Sequence, residues 1–336
     1  MGQRKGIIEM QFNWALILIL GGAMLILAIT ISSREKSISE TSASVSLANS
    51  LHNILSNNAL GYESESTSSI LPKKSKIIFE CNRYLVEDAS KSIKDFILFS
   101  PGAIDSDAIL IDKLGWDFPY PAGNFLYLTS NEMRYIFIGD SEFARKSFQM
   151  APANIEKEGY TSIHAVQNYG NTEVRLVFFG QDPEIPNMLN KPGIKITALK
   201  INGDGQQGAL EFFNFDNGAF ASNGKSGYTG MASLFGAVFS EDISRYECNM
   251  EKAFLRLNMV SYIYLNKSNF ILSEYGKSGN KLCFGLYSNT TKLADSLKLL
   301  SAAKFRGQKI EELIIAYDNI NKMNEEANAL SCALIY

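Results

Sequence analysis

Histidine is almost missing from this chain: among 336 residues only His52 and His164 occur. A zinc site would have to gather cysteine or acidic ligands around His164, and no short ligand spacing provides for that. No cofactor is expected. A basic excess is missing too. The chain has 32 Lys and Arg against 35 Asp and Glu, a formal net charge of −3, which argues against a nucleic-acid binder. The Lys73-Lys74 pair reads as a solvated loop. There is no internal repeat. Between Phe12 and Ile31 there is no charge, and between 32 and 58 there is neither Gly nor Pro.

What is there begins with that uncharged run. It matches the ~20 residues a helix needs to cross a bilayer, with Trp14 at the edge and Gly21-Gly22 tolerated within. The sequence therefore predicts a transmembrane anchor and a lipid bilayer as partner. Arg4 and Lys5 precede the run and Arg34 and Lys36 follow it, so the positive-inside count is a tie. A short N-terminal stub before a large domain is a signal-anchor layout. It predicts a single-pass protein of the cell membrane, its C-terminal domain extracytoplasmic.

Arg4-Lys5-Gly6, then Ile7-Ile8-Glu9-Met10-Gln11 and the apolar run, resembles the processing segment of archaeal type IV pilin-like proteins. The resemblance implies peptidase cleavage after Gly6, leaving Ile7 as the new N-terminus. That family often carries Glu at the fifth position after the cut, where this chain has Gln11. The remainder is similar in character to uncharacterised membrane-anchored archaeal proteins.

The fold class expected is α+β, a mixed sheet covered by a helical segment. The divisions are 1–31 stub and anchor, 32–72 helical stalk and linker, 73–229 sheet-rich, and 230–336 helical. In the stalk Ile38, Thr41, Val45, Ala48, His52 and Leu55 recur at steps of three and four. This is either a seam for a partner helix, through which envelope or pilin-like proteins would bind the 32–60 helix, or an amphipathic helix lying on its own domain. An unbroken helix to about Leu55 is expected, followed by a flexible loop over 61–69.

Strands are expected at Lys76–Phe79, Ile93–Phe99 and Ala108–Ile111. A hairpin is expected between Phe125–Leu128 and Arg134–Ile138. Val174–Phe179 reads as a central strand buried on both faces. Ile194–Ile201 and Ala209–Phe215 read as a hairpin. Three main helices follow a short one at Met231–Phe239, over about 246–275, 283–303 and 309–332, with a turn at Gly307.

Three motifs invite chemistry. Gly203-Asp204-Gly205-Gln206-Gln207-Gly208 has dinucleotide spacing, but a strand rather than a helix is expected next, which favours a turn. Gly224-Lys225-Ser226 lacks the phosphate-loop spacing and reads as a solvent loop. Gly139-Asp140-Ser141 sits at a strand-to-helix turn. Phe143 breaks the nucleophile-elbow pattern, so a helix cap is favoured, with Asp140 or Ser141 as N-cap. Should an anion bind anywhere, this turn is the best guess. Asp105 with Asp107 and Asp112 with Asp117 read as solvated acid pairs in loops. Asn266-Lys267-Ser268 and Asn289-Thr290-Thr291 fit the glycosylation pattern but fall in helices. No catalytic set survives these tests.

The four cysteines are Cys81, Cys248, Cys283 and Cys332. If the last three helices run up, down and up, Cys248 and Cys283 lie ~40 Å apart by helix rise. Cys283 then meets Cys332 and Cys248 meets Cys81. The function expected is a non-enzymatic, membrane-anchored ectodomain that binds or assembles with other envelope proteins. The alternatives are a minor pilin-like subunit processed after Gly6, and a tethered α/β enzyme with a site near Gly139–Ser141.

Overall fold

The computed structural model describes residues 22–26, 29–30, 42–59, 66–167, 173–186, 188–189, 191, 193–288, 291–306 and 310–336. Gly6, Ile7, residues 32–41, residues 60–65, Asn289-Thr290, Gly307 and most of the Phe12–Ile31 run lie outside them.

Two six-stranded mixed sheets and a set of helices form an α+β fold. The first sheet holds β1 (Thr67–Phe79), β2 (Arg83–Val86), β3 (Ala89–Ser92), β4 (Ile97–Phe99), β5 (Ala103–Asp117) and β6 (Pro121–Ser130), in the order β3-β2-β1-β5-β6-β4. The second holds β7 (Met133–Ile138), β8 (Glu156–Tyr160), β9 (Glu173–Phe179), β10 (Lys195–Gly203), β11 (Gln207–Asp216) and β12 (Ala219–Thr229), in the order β12-β11-β10-β9-β7-β8. Helix α1 covers 42–59. Then come α2 (Glu142–Met150), α3 (Gly230–Phe239), α4 (Ile243–Ser278), α5 (Lys281–Ser288), α6 (Thr291–Ser301) and α7 (Ile310–Ala329).

The expected transmembrane helix is corrected. No helix among the described residues is long and apolar enough to cross a membrane. Helix α4 has the length, with 36 residues, but carries polar and charged residues throughout.

Three apolar layers hold the fold. One face of the first sheet (Ile77, Phe79, Tyr84, Ile104, Ile111, Leu128) packs on Leu47, Ala48, Leu51 and Leu55 of α1. Of the two readings of this segment, 42–59 therefore lies on its own domain. Tyr84 fixes it by donating its hydroxyl to the Ala48 carbonyl at 2.7 Å. The opposite face (Phe99, Trp116, Phe125, Tyr127) packs with the second sheet and with α3, α4, α6 and α7. Strand β9 divides two cores by alternation: Val177 and Phe179 enter the shared core, while Leu176 and Phe178 enter the outer one. The helices thus cover the sheets and form no separate body.

Several local expectations change. The Ser/Thr run at 67–69 is strand rather than loop, because it pairs with Ile109–Ile111 of β5. A register shift between Ile70 and Ser75 accommodates Pro72, which has no N–H to give to a ladder. The expected β6–β7 hairpin does not form. Asn131-Glu132 carries the chain from one sheet to the other, β6 pairing with β5 and β4 and β7 with β8 and β9. The segment after Gly218 is a full strand, β12, paired to β11. The expected 283–303 helix is split into α5 and α6.

Candidate functional site

Parallel strands β8-β7-β9-β10 reverse their winding between β7 and β9. The crevice outside the carboxyl ends of such strands is where open α/β sheets hold ligands. Gly139-Asp140-Ser141 lies at that point, ending β7 and starting α2. The geometry of the turn is dominated by capping. Ser141 is the N-cap, its Oγ accepting from the Ala144 N–H at 3.1 Å. The Arg145 guanidinium donates to the Asp140 carbonyl at 2.9 Å, and the Gly139 N–H to the Tyr160 carbonyl at 2.9 Å. Gly139 is demanded by packing: a Cβ there would lie 2.9 Å from the Phe179 Cβ. Phe143 meets the Phe179 ring edge-on at 5.4 Å. A cavity of about 350 Å³ beside the turn is lined chiefly by Phe137, Ala144, Phe148 and Tyr160, with Arg145 at its rim. Asp140 and Glu142 bring negative charge to the helix N-terminus, which disfavours an anion there.

The other motifs are absorbed by the fold. Gly203–Gly208 is a hairpin turn: Asp204 Oδ1 accepts from the Gln206 and Gln207 N–H groups at 2.8 and 3.0 Å, and these bonds hold its carboxyl below the usual range. Strand β11 follows, so no helix N-terminus faces a pyrophosphate. Gly224-Lys225-Ser226 is part of β12 instead of a solvent loop. The paired aspartates lie on β5, not in loops, with Asp105 and Asp107 directed outward by alternation. Asp112 accepts from Ser66 at 2.6 Å, and burial raises its carboxyl despite that bond. His52 packs on Phe96 in α1, while His164 stands exposed on a short 3-10 turn, Ile163–Ala165, after β8. They lie in different layers. Among the described residues no cluster of His, Cys, Asp and Glu fits a metal ion.

Sequence reading missed the buried cations. Arg175, in the run read as wholly apolar, is 1% exposed. Its guanidinium donates to the carbonyls of Ala237, Ser240 and Glu241 at 3.1, 2.8 and 3.2 Å, closing the C-terminal end of α3. Burial pulls it down to about 10, opposed by Tyr135 and Glu241. Lys252 on α4 donates to the carbonyls of Cys81, Ile93 and Phe96. Burial lowers its ammonium to about 8, against the pull of Asp95. Glu241 accepts from the Gly102 N–H at 2.6 Å and pairs with Lys195 at 2.8 Å, tying the two sheets to the α3–α4 junction. These polar groups all serve the architecture. The charged residue inside an otherwise apolar strand was the one available signal.

The cysteines join Cys81 to Cys248 and Cys283 to Cys332, with Cα–Cα distances of 6.0 and 5.7 Å. The first bridge fastens the β1–β2 turn to the start of α4. The second fastens α5 to the chain after α7.

Among the described residues one surface is left without a structural partner. The inner face of α4 buries Ala253, Phe254, Leu257 and Ile271. Its outer face presents Leu255, Met259, Tyr262, Ile263 and Phe270, each 59–65% exposed. Between Arg256 and Glu274 the only charge is Lys267, which donates to the Ile335 carbonyl at 2.9 Å. An apolar face of this size, interrupted by exposed Asn266 between Ile263 and Phe270, is unusual toward solvent. The comparisons leave that surface to speak for the chain, since no protein-family model, curated protein or solved structure matches it.

Proposed function

We propose that this chain is a non-enzymatic binding or assembly domain of the cell envelope, facing an extracytoplasmic, oxidising compartment. The exposed stripe on α4 carries the reading: among the described residues, five large apolar side chains along one helix face take no part in the core. The two disulfides support the compartment, since such bonds persist where thiols are not kept reduced. The Gly139–Ser141 crevice gives less support to the enzyme reading. The Ser141 hydroxyl and the Asp140 carbonyl are engaged around the helix cap, and the cavity is chiefly apolar.

The test is photo-crosslinking from Tyr262 in the native envelope. A protein crosslinked there, and none from Asp140, supports the reading. A chain that crosslinks nothing at Tyr262 while turning over a small molecule at Gly139–Ser141 refutes it.

A second reading, a minor pilin-like subunit processed after Gly6, is favoured by the docking of α1 on the first sheet. A sheet-based head fixed to its leading helix is suited to being carried on an N-terminal segment. Mass spectrometry of the isolated protein decides it: a free Ile7 amine supports processing, and an intact Met1 end excludes it.

A further inference from the structure

We propose that the Cys81–Cys248 bond is an exchange site for an external alkyl thiol, which takes the Cys81 sulfur and leaves Cys248 as a thiolate between Arg245 and Lys252. The inference is independent of the α4 stripe and of its partner. Cys81 follows β1 in a turn whose other residues Glu80, Asn82 and Arg83 are all exposed, whereas Cys248 sits on α4 beside buried Asn249. A thiolate displaces one sulfur from the other along their shared axis, so it must reach the sulfur it joins from outside. Access therefore selects Cys81. The other bridge gives no such approach, with Cys283 and Cys332 only 2% and 7% exposed.

A leaving sulfur is favoured by positive charge beside it. Arg245 lies three residues before Cys248 and Lys252 four after, so all three share one face of α4. That face meets the Cys81 turn: Arg245 Nε donates to the Phe79 carbonyl at 3.4 Å, and Lys252 Nζ to the Cys81 carbonyl. Arg245 is shared with Asp242. Lys252 is held by the carbonyls of Cys81, Ile93 and Phe96 and makes no ion pair among the described residues. Asp95, next to Lys94 on an exposed turn, acts on it only through space. The other carboxylates of this junction have their own cations: Glu80 pairs with Arg83 at 2.6 Å, and Glu247 and Glu251 with Arg306 at 2.7 and 3.2 Å. A thiolate at Cys248 thus supplies the counter-charge that Lys252 lacks. The same ammonium holds the Cys81 carbonyl, which keeps the two sulfurs within reach for reclosure.

The external thiol first gives its proton to solvent. Its sulfur then bonds to Cys81 Sγ as the bond to Cys248 breaks, and the bonding pair leaves on Cys248 Sγ. In the reverse step the Cys248 thiolate attacks Cys81 Sγ and expels the external thiolate. No net oxidation or reduction occurs.

The experiment treats the full chain, dispersed in mild detergent because of its apolar N-terminal run, with reduced glutathione near neutral pH. Acid quenching, alkylation with N-ethylmaleimide and peptide mapping by mass spectrometry follow. The expected product carries glutathione on Cys81 and maleimide on Cys248, with Cys283–Cys332 intact. Removing glutathione before the quench should restore the bridge. Glutathione on Cys248 with maleimide on Cys81 overturns the inference, and so does cleavage only where the fold is lost by circular dichroism. Lys252→Gln should slow cleavage about tenfold, while Lys252→Arg keeps most of the rate. Unchanged or faster cleavage in a folded Lys252→Gln chain overturns the part given to Lys252. A readout without that variant is the Cys81→Ser chain, where alkylation of Cys248 against pH should titrate below the ~8.5 of a free thiol. A midpoint at or above that value contradicts a thiolate held by cations.

Discussion

Burying a guanidinium costs several kcal/mol unless its donors are satisfied, so Arg175 must be answered by the groups around it. The answer is the end of α3, whose carbonyls have no partners within the helix. Ala237 of α3, its cap residue Ser240 and Glu241 beyond it turn their carbonyls to Arg175, with the Phe212 ring 5.5 Å away and Nε left without a partner among the described residues. Replacing Arg175 by Leu leaves those carbonyls buried and unpaired. The account predicts a loss of about 3 kcal/mol or more in denaturant unfolding, with Arg175→Lys recovering part of it. A loss under about 1 kcal/mol would mean that water replaces the guanidinium. Residue-scale chemistry of this kind is scarcely legible in sequence. The same Val174–Phe179 run that identified a central strand concealed why one of its members is charged. The cap was legible as Asp140 or Ser141, because capping depends only on neighbours within one turn.

Among the elements, the two disulfides differ in access. Cys283 and Cys332 are 2% and 7% exposed, while Cys81 and Cys248 are half-buried. Thiol–disulfide exchange needs an approach path for the attacking thiolate. Mild dithiothreitol followed by alkylation and mass spectrometry should therefore label Cys81 and Cys248 first. Equal labelling of all four would contradict this. Replacing both Cys81 and Cys248 with Ser should cost about 2–5 kcal/mol, by freeing the β1–β2 turn from α4. A related contact depends on Gly102, where a Cβ would lie 2.5 Å from Glu241 Oε2. Gly102→Ala should push Glu241 off the Gly102 amide and destabilise by about 1–3 kcal/mol, read as a lowered melting temperature.

The cysteine pairing could be reached from helix rise only together with an assumed up-down-up order of the last helices. The pairing of strands was less accessible. The Asn131-Glu132 turn looks the same in sequence whether it folds β7 back on β6 or sends it to another sheet. The Ser-rich start of β1 becomes strand only because β5 lies beside it. On α4 the long helix was legible, but its exposed apolar positions were not told apart from its core ones. Which of them face the core depends on the packing of α5, α6 and α7, and that information is not local.

For the molecule as a whole, the buried phenols set the alkaline limit. Burial raises the hydroxyls of Tyr84, Tyr120, Tyr127, Tyr135, Tyr228 and Tyr246 above the ordinary 10.0. The folded chain keeps these protons where the unfolded chain loses them. Their contribution is thus whole below about pH 10 and falls as pH rises further. Lys252 acts in the opposite sense. Its folded value of about 8 lies below the ordinary 10.5, so the unfolded chain binds more protons between these values and stability rises across that window. The expected profile is level or rising from pH 8 to 10 and steeply falling beyond. Denaturant midpoints by circular dichroism, with phenolate absorbance alongside, check it. A loss of stability already under way at pH 9 would contradict it.

At the scale of the whole molecule, the proposed contact surface is on α4, where apolar side chains remain exposed after the described cores are filled. Carbene footprinting of the protein in its native envelope, compared with the dilute purified chain, tests this claim most directly. Leu255, Met259, Tyr262, Ile263 and Phe270 should label strongly in dilute solution and be protected in the envelope, while the Gly139–Ser141 turn labels alike in both. Equal labelling of the stripe in the two states, or protection confined to the Gly139–Ser141 crevice, would contradict the account.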